Sequence, residues 1–235
     1  MSRSPTAVLV SLLELVCACG SNGTPTASPT VAATPTPTAA PTATATPGPD
    51  TERVDVVATG IGVYQLTTIP VALVHNAATR HAATQVTVRF AVYNDAGRPV
   101  GGADAVIPLV APGQTMGIAA RIEQSGSSLR TSASVIGGQW IDAGPAAPLT
   151  VSKVTYQCGT CRPGAGYGTA VGTMTAAPGI AVTDVTLTAV CYAGAAITGG
   201  VTSTDTVTTL PKQVQVPVII SNVPDRCEIY ASPGP

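Results

Sequence analysis

The side chains with chemistry to offer in this sequence are six cysteines, at 17, 19, 158, 161, 191 and 227, and two histidines, His75 and His81. Cys158-Gly-Thr-Cys161 has the spacing of a thiol–disulfide centre, whose attacking thiolate is commonly stabilised at a helix N-terminus. Here Arg-Pro-Gly-Ala-Gly-Tyr-Gly168 follows, a loop sequence with no helix to supply that field. A four-cysteine zinc site usually pairs two short-spaced knuckles, and Cys191 with Cys227 is not a knuckle. His75 and His81 flank Asn-Ala-Ala-Thr-Arg80, read as a loop between strands; a metal there would want a third ligand, and no acidic neighbour is evident. Gly164-Ala-Gly-Tyr-Gly168 lacks the lysine and following helix of a phosphate loop, and no Gly-x-Ser-x-Gly elbow occurs. Trp140, the sole tryptophan, lies in Gly137-Gly-Gln-Trp-Ile-Asp-Ala-Gly144. It reads first as a plug between two domains, and second as a ring offered to a ligand. No catalytic residue, metal site or cofactor is expected.

The N-terminus explains two of the cysteines. Arg3 opens a short positive region, and Ala7-Val-Leu-Val-Ser-Leu-Leu-Glu-Leu-Val16 is an apolar stretch of the secretory-signal kind. It is shorter than the roughly 20 residues that span a bilayer. Val16-Cys17-Ala18-Cys19-Gly20-Ser21 then resembles the lipobox of bacterial lipoproteins. That resemblance implies cleavage before Cys19, fatty acylation of Cys19 (palmitate among the chains) and export to a membrane-tethered position. The membrane would be the outer leaflet of the cell membrane, or the outer membrane in a two-membrane host, since Gly20 rather than aspartate follows the cysteine. Thr24 to Pro49 is almost entirely Thr, Pro and Ala, without charge, aromatic residue or hydrophobic period. Such a segment buries too little apolar surface to offset the entropy of ordering. Its prolines favour extended polyproline II, so it reads as a semi-rigid stalk.

Beyond the stalk the chain is globular in composition but short of aromatics, with one Phe, one Trp and six Tyr in a sequence 45% hydrophobic. Its core must come from Val, Ile, Leu and Ala. The formal net charge is −1, with 11 basic and 12 acidic residues scattered singly. The basic patch that nucleic-acid binding needs is missing. Four cysteines remain after Cys17 and Cys19, an even number in a chain read as exported, which points to disulfides.

The elements are short strands. Gln85-Val-Thr-Val-Arg-Phe-Ala-Val-Tyr93 alternates strictly, and Asn94-Asp-Ala-Gly97 then turns the chain. Val185-Thr-Leu-Thr-Ala-Val-Cys-Tyr192 lies over Val86 to Tyr93 at one constant offset, Ala176-Ala177 lies over Ala77-Ala78, and Gly199-Gly200 answers Gly101-Gly102. Val214 to Ile220 answers the strand begun at Met116, and Arg226 to Ser232 answers the strand at Arg130. The expectation is all-β: two tandem immunoglobulin-like β-sandwich domains after a signal peptide and a disordered linker. The boundaries are 1–18 for the signal, 19–50 for the lipidated cysteine and stalk, 51–145 for the first sandwich and 146–235 for the second. In this frame Cys191 stands at the place of Val92 and Cys227 at that of Thr131, both on strands of one sandwich. The favoured pairing is therefore Cys158–Cys161 and Cys191–Cys227.

Phe90-Ala-Val-Tyr-Asn94, followed by Asp95-Ala-Gly-Arg-Pro-Val100 and by Leu109-Val-Ala-Pro-Gly113, resembles the FxLYD domain of bacterial envelope proteins over residues 54–137. Val92 stands for the motif's Leu and Asn94 for its Asp, while the second unit keeps only Tyr192. The resemblance implies a sandwich often carried by lipoproteins and no assigned chemistry. The functional expectation is a membrane-anchored module that binds or spaces without catalysis. Its partners would be the membrane, through the lipid, and an unidentified protein or glycan, with nucleic acid excluded. An envelope hydrolase or thiol-redox protein is the alternative from another class, and a structural component of an envelope assembly is a third.

Overall fold

The computed structural model describes residues 51–234 apart from 125, 127, 128, 143–148, 163, 180 and 181. The expectations for Cys19, the signal segment and the stalk lie outside the described residues. Every regular element described is a strand, as runs rich in Val, Ile and Thr favour on a pleated surface. Turn chemistry separates them. Between Tyr93 and Pro99, for example, Gly97 takes φ 73° and the Asn94 side chain accepts the Arg98 amide.

The first half holds β1 (Val54–Tyr64), β2 (Thr67–Asn76), β3 (His81–Tyr93), β4 (Pro99–Val110), β5 (Thr115–Ala119) and β6 (Arg130–Asp142). They form two antiparallel three-stranded sheets, β1-β2-β5 and β4-β3-β6. Ala72 and Val74 of β2 and Met116 and Ile118 of β5 pack against Val86, Val88 and Phe90 of β3 and Ile107 of β4. The alternating side chains of two sheets thus meet in one core, the arrangement of a β-sandwich. Phe90 is 1% exposed and is the largest side chain wholly inside it.

The second half holds β7 (Leu149–Arg162), β8 (Ala165–Ala176), β9 (Asp184–Ala193), β10 (Ala196–Thr206), β11 (Lys212–Ile220) and β12 (Arg226–Pro233). They form a single six-stranded sheet in the order β12-β9-β10-β11-β8-β7. Its two sides, β12-β9-β10 and β11-β8-β7, have the strand order of the first half's two sheets. They are joined at Gly199↔Ile220 and Gly200↔Ile219, and just beyond, the Ser221 amide donates to the Thr198 carbonyl (2.7 Å). Leu187 and Ile229 from one side meet Met174, Val216 and Val218 from the other in a second core.

The registers repeat as well. Val92 faces Gly101 and Thr131 across β3, while Cys191 faces Gly199 and Cys227 across β9. Both strands carry a bulge just beyond, where Tyr93 pairs with Pro99 and Tyr192 with Ile197. Two residues further along, Phe90 faces Ala133 and Ala189 faces Ile229. The bulky member of the pair has moved from the inner strand to the outer one. Packing tolerates such volume-conserving exchange better than net loss.

The two halves are stacked, and the described residues belong to one compact unit. A third apolar cluster joins Ile69 and Val71 of β2 and Ala119 of β5 to Val190, Tyr192 and Ile197 of the second half. The sheet β1-β2-β5 is therefore covered on both faces, which is why β2 is buried along most of its length. Glycines set the closeness of this seam. A side chain at Gly60 would collide with Ile197, one at Gly62 with the Ile219 carbonyl, and one at Gly117 would lie 2.7 Å from Tyr230 and Val190. Polar ties cross it too: the Ala119 amide donates to Thr202 Oγ1 (2.9 Å), and Ser221 Oγ donates to the Ile61 carbonyl (2.9 Å). Trp140 takes no part in this contact. It sits on β6 opposite Ala83 and packs, half-buried, against the first half's own core.

Candidate functional site

The structure joins Cys158 to Cys161 and Cys191 to Cys227. The second bond links directly opposed residues of β9 and β12 inside the second core, with both cysteines buried. The first lies near the end of β7, where the strand bulges between Cys158 and Thr160 before turning into β8. Tyr156 lies beneath it, with its hydroxyl 3.4 Å from Cys161 Sγ, and burial raises the pKa of that hydroxyl. Among the described residues no helix points its N-terminus at either sulfur.

His75 and His81 stand at opposite sides of the loop between β2 and β3. His75 Nδ1 is 3.1 Å from Thr115 Oγ1. His81 lies between two carboxylates, Asp142 at 3.2 Å from Nε2 and Glu52 at 3.4 Å from Nδ1. This corrects the expectation that no acidic group is near. Asp142 arrives by register, opposite His81 across β3 and β6, and Glu52 arrives because it precedes β1. Among the described residues no cluster of three or more His, Cys, Asp or Glu groups could hold a metal ion.

The residue that organises this loop is one the sequence reading passed over. Asn76 is 0% exposed. Its Nδ2 lies within hydrogen-bonding distance of the carbonyls of His81 (3.0 Å), Val110 (3.1 Å) and Ala111 (3.2 Å), and its Oδ1 accepts the Ala78 amide (2.9 Å). One buried amide thereby ties the ends of β2, β3 and β4. The only signal in the sequence is its place between two histidines, which drew attention to them instead.

Two features at the seam and its end have the character of a site. The first is a cleft of about 300 Å³ between the halves, lined on one side by Ile69, Ala119 and Arg121 and on the other by Val201, Thr202 and Pro217. Beside it, Tyr192, Tyr230 and Glu228 form a hydrogen-bonded triangle under Arg226, whose guanidinium lies 4.0 Å over the Tyr192 ring. Burial, the largest influence, pushes the Tyr192 hydroxyl up to about 12, and it raises that of Tyr230 as well. Both hydroxyls are therefore neutral donors at ordinary pH, and the triangle ties β9 to β12 within the second half while the two rings pack toward the first.

The second feature is at the end of β1. Tyr167 of β8 is 43% exposed, the only exposed aromatic among the described residues. Its ring meets Tyr64 edge to face at 5.1 Å between centroids. It also lies against Gly159, where a side chain would come within 2.6 Å of it. Leu66, 69% exposed, occupies the neighbouring β1–β2 turn.

The class defined is an all-β protein of stacked sheets that carries two disulfides, one within a strand and one between neighbouring strands. No family model, no curated protein and no solved structure matches the chain.

Proposed function

We propose that this chain is a lipid-anchored envelope protein, acylated at Cys19, whose paired immunoglobulin-like sandwiches present a binding or spacing surface without catalysis. The observation that carries this reading is the pair of disulfides, one in a core and one at a strand end, beyond an N-terminus of lipoprotein type. Disulfides persist in oxidising compartments, and a cytoplasmic β-protein of this size would have little use for them. The recurrence of one strand order and one bulge in both halves supports two sandwiches descended from one plan, and Phe90 to Asn94 supports an FxLYD-like first domain. The close packing of the seam is in keeping with a spacer.

The test is fractionation of cells expressing the full chain. The protein should sediment with membranes and be released by detergent, and Cys19→Ser should appear in the soluble exported fraction. A wild-type chain found soluble in the cytoplasm with free thiols would overturn the reading. The alternative of a thiol-redox enzyme gains no support from the place of Cys158–Cys161 in a strand end.

A further inference from the structure

We propose that the outer face of β7-β8-β11, headed by Tyr167, is a binding site for a neutral polysaccharide. This inference rests on the reading of the protein as a displayed, non-catalytic module, and it names that module's ligand class and contact surface.

The outward rows of these strands run in register. Ser152, Thr173 and Gln213 lie abreast, Thr155 and Gln215 flank Val171, and Gln157 flanks Thr169. From the Thr150–Thr175 pair to Tyr167, no position in these outward rows carries a formal charge; Lys153 sits in the β7 bulge outside the register, and Arg162 lies beyond Tyr167. Threonine on a solvated strand needs only β-propensity to explain it. The lack of charge does not follow from propensity, because solvated sheets ordinarily carry ionic side chains for solubility and edge protection. The other outer sheet, β4-β3-β6, follows that habit with a bidentate Arg89–Asp104 pair. A surface of hydroxyls and primary amides offers both donors and acceptors at each row. It suits a ligand that is itself uncharged and rich in hydroxyls, with Lys153 in the β7 bulge the single cation beside these rows.

Tyr167 supplies what such a face lacks, an apolar platform for one sugar ring. An aromatic ring has a flat apolar face and a polar tip, suited to a ligand of mixed character. This ring is held in advance: Tyr64 braces its edge, Gly159 leaves room beneath it, and the Cys158–Cys161 bond fixes the strand that carries Gly159. Holding it so reduces the ordering cost of binding. Its place also fits display. The chain enters the body beside Val54, and Tyr64 ends the same 11-residue strand, about 35 Å away at the usual rise. The platform is thus at the far end of β1 from Val54.

The experiment is co-sedimentation and affinity electrophoresis of the full chain, purified in detergent, with amylose, a β-glucan and chitin as neutral probes and alginate as an anionic one. At least one neutral probe should retain the protein and alginate should not. Tyr167→Ala should weaken retention about tenfold or more, Tyr167→Phe should keep it, and Gln213→Glu should weaken it. Arg89→Ala, in the other outer sheet, should leave it unchanged. Melting temperature and disulfide content, measured on each variant, separate lost contact from lost fold. Retention by alginate alone, by no probe, or equally by Tyr167→Ala would overturn the site. Binding that persists in a chain not acylated at Cys19 would sink the tether and keep the site, whereas acylation without polysaccharide binding would do the reverse.

Discussion

Cys191 and Cys227 face each other across β9 and β12 at the register where Val92 faces Thr131 across β3 and β6. One half closes that position with a covalent bond and the other with a contact. The half with the bond has Ala189 where its sibling has Phe90, so the cross-link sits in the core with less aromatic mass. By the chain-entropy account, a bridge spanning 36 residues removes unfolded-state freedom equivalent to about 3–4 kcal/mol.

Replacing this pair by the first half's residues, Cys191→Val with Cys227→Thr, should leave the fold in place and lower stability by about 2–4 kcal/mol. Denaturant unfolding of the oxidised proteins measures it. The Cys158–Cys161 bond closes a far shorter loop, so Cys158→Ser with Cys161→Ser should cost less, about 1–2 kcal/mol. The reverse order would mean that the core disulfide is not what steadies the second half.

Asn76→Ala removes one side chain and strands several buried backbone groups. A buried group left unpaired costs about 1–3 kcal/mol, so a loss of about 3 kcal/mol is expected, with faster amide exchange at Ala78. Asn76→Asp should be worse at neutral pH than in acid, since a carboxylate cannot donate to the three carbonyls.

Gly117→Ala places a methyl group against the Tyr230 ring and Val190 at the seam. Overpacking of this kind costs about 1–3 kcal/mol. The expected signature is local: raised exchange in β5, β9 and β12, with the cores of both halves kept. An unchanged melting temperature would show that the seam yields more readily than its spacing implies.

The pH profile has a definite sign. Tyr192 titrates near 10 when unfolded and at about 12 when folded, so the native state holds its proton longer. Its contribution is fully present below pH 10 and is lost as pH rises from 10 toward 12. Tyr230, raised for the same reason, adds to that loss. Tyr192→Phe should flatten the alkaline limb of a stability curve and leave the region below pH 9 parallel to wild type.

The alternation of Val86 to Val92 and the glycine pairs at 101–102 and 199–200 made the strands and their internal registers legible, because a two-residue period and a turn are local signals. The pairing of Cys191 with Cys227 followed from register for the same reason. The seam was not legible. It depends on Gly60, Gly62 and Gly117, and the absence of a side chain leaves no periodic mark of what approaches it. The stacking of the two halves through β1-β2-β5 was not anticipated, nor that Trp140 packs on the core of the first half. Glu52 and Asp142 escaped notice beside His81 because they are distant in sequence and adjacent only through pairing. Tyr167 lay in a run read as flexible loop, and the structure makes that run the start of β8.

The central claim is the tether, and metabolic labelling with a fatty acid tests it most directly. The full chain should incorporate label, and mass analysis should place it on Cys19 as the new N-terminus, with none in Cys19→Ser. Label persisting in Cys19→Ser, or a wild-type chain that never takes it up, would contradict the account.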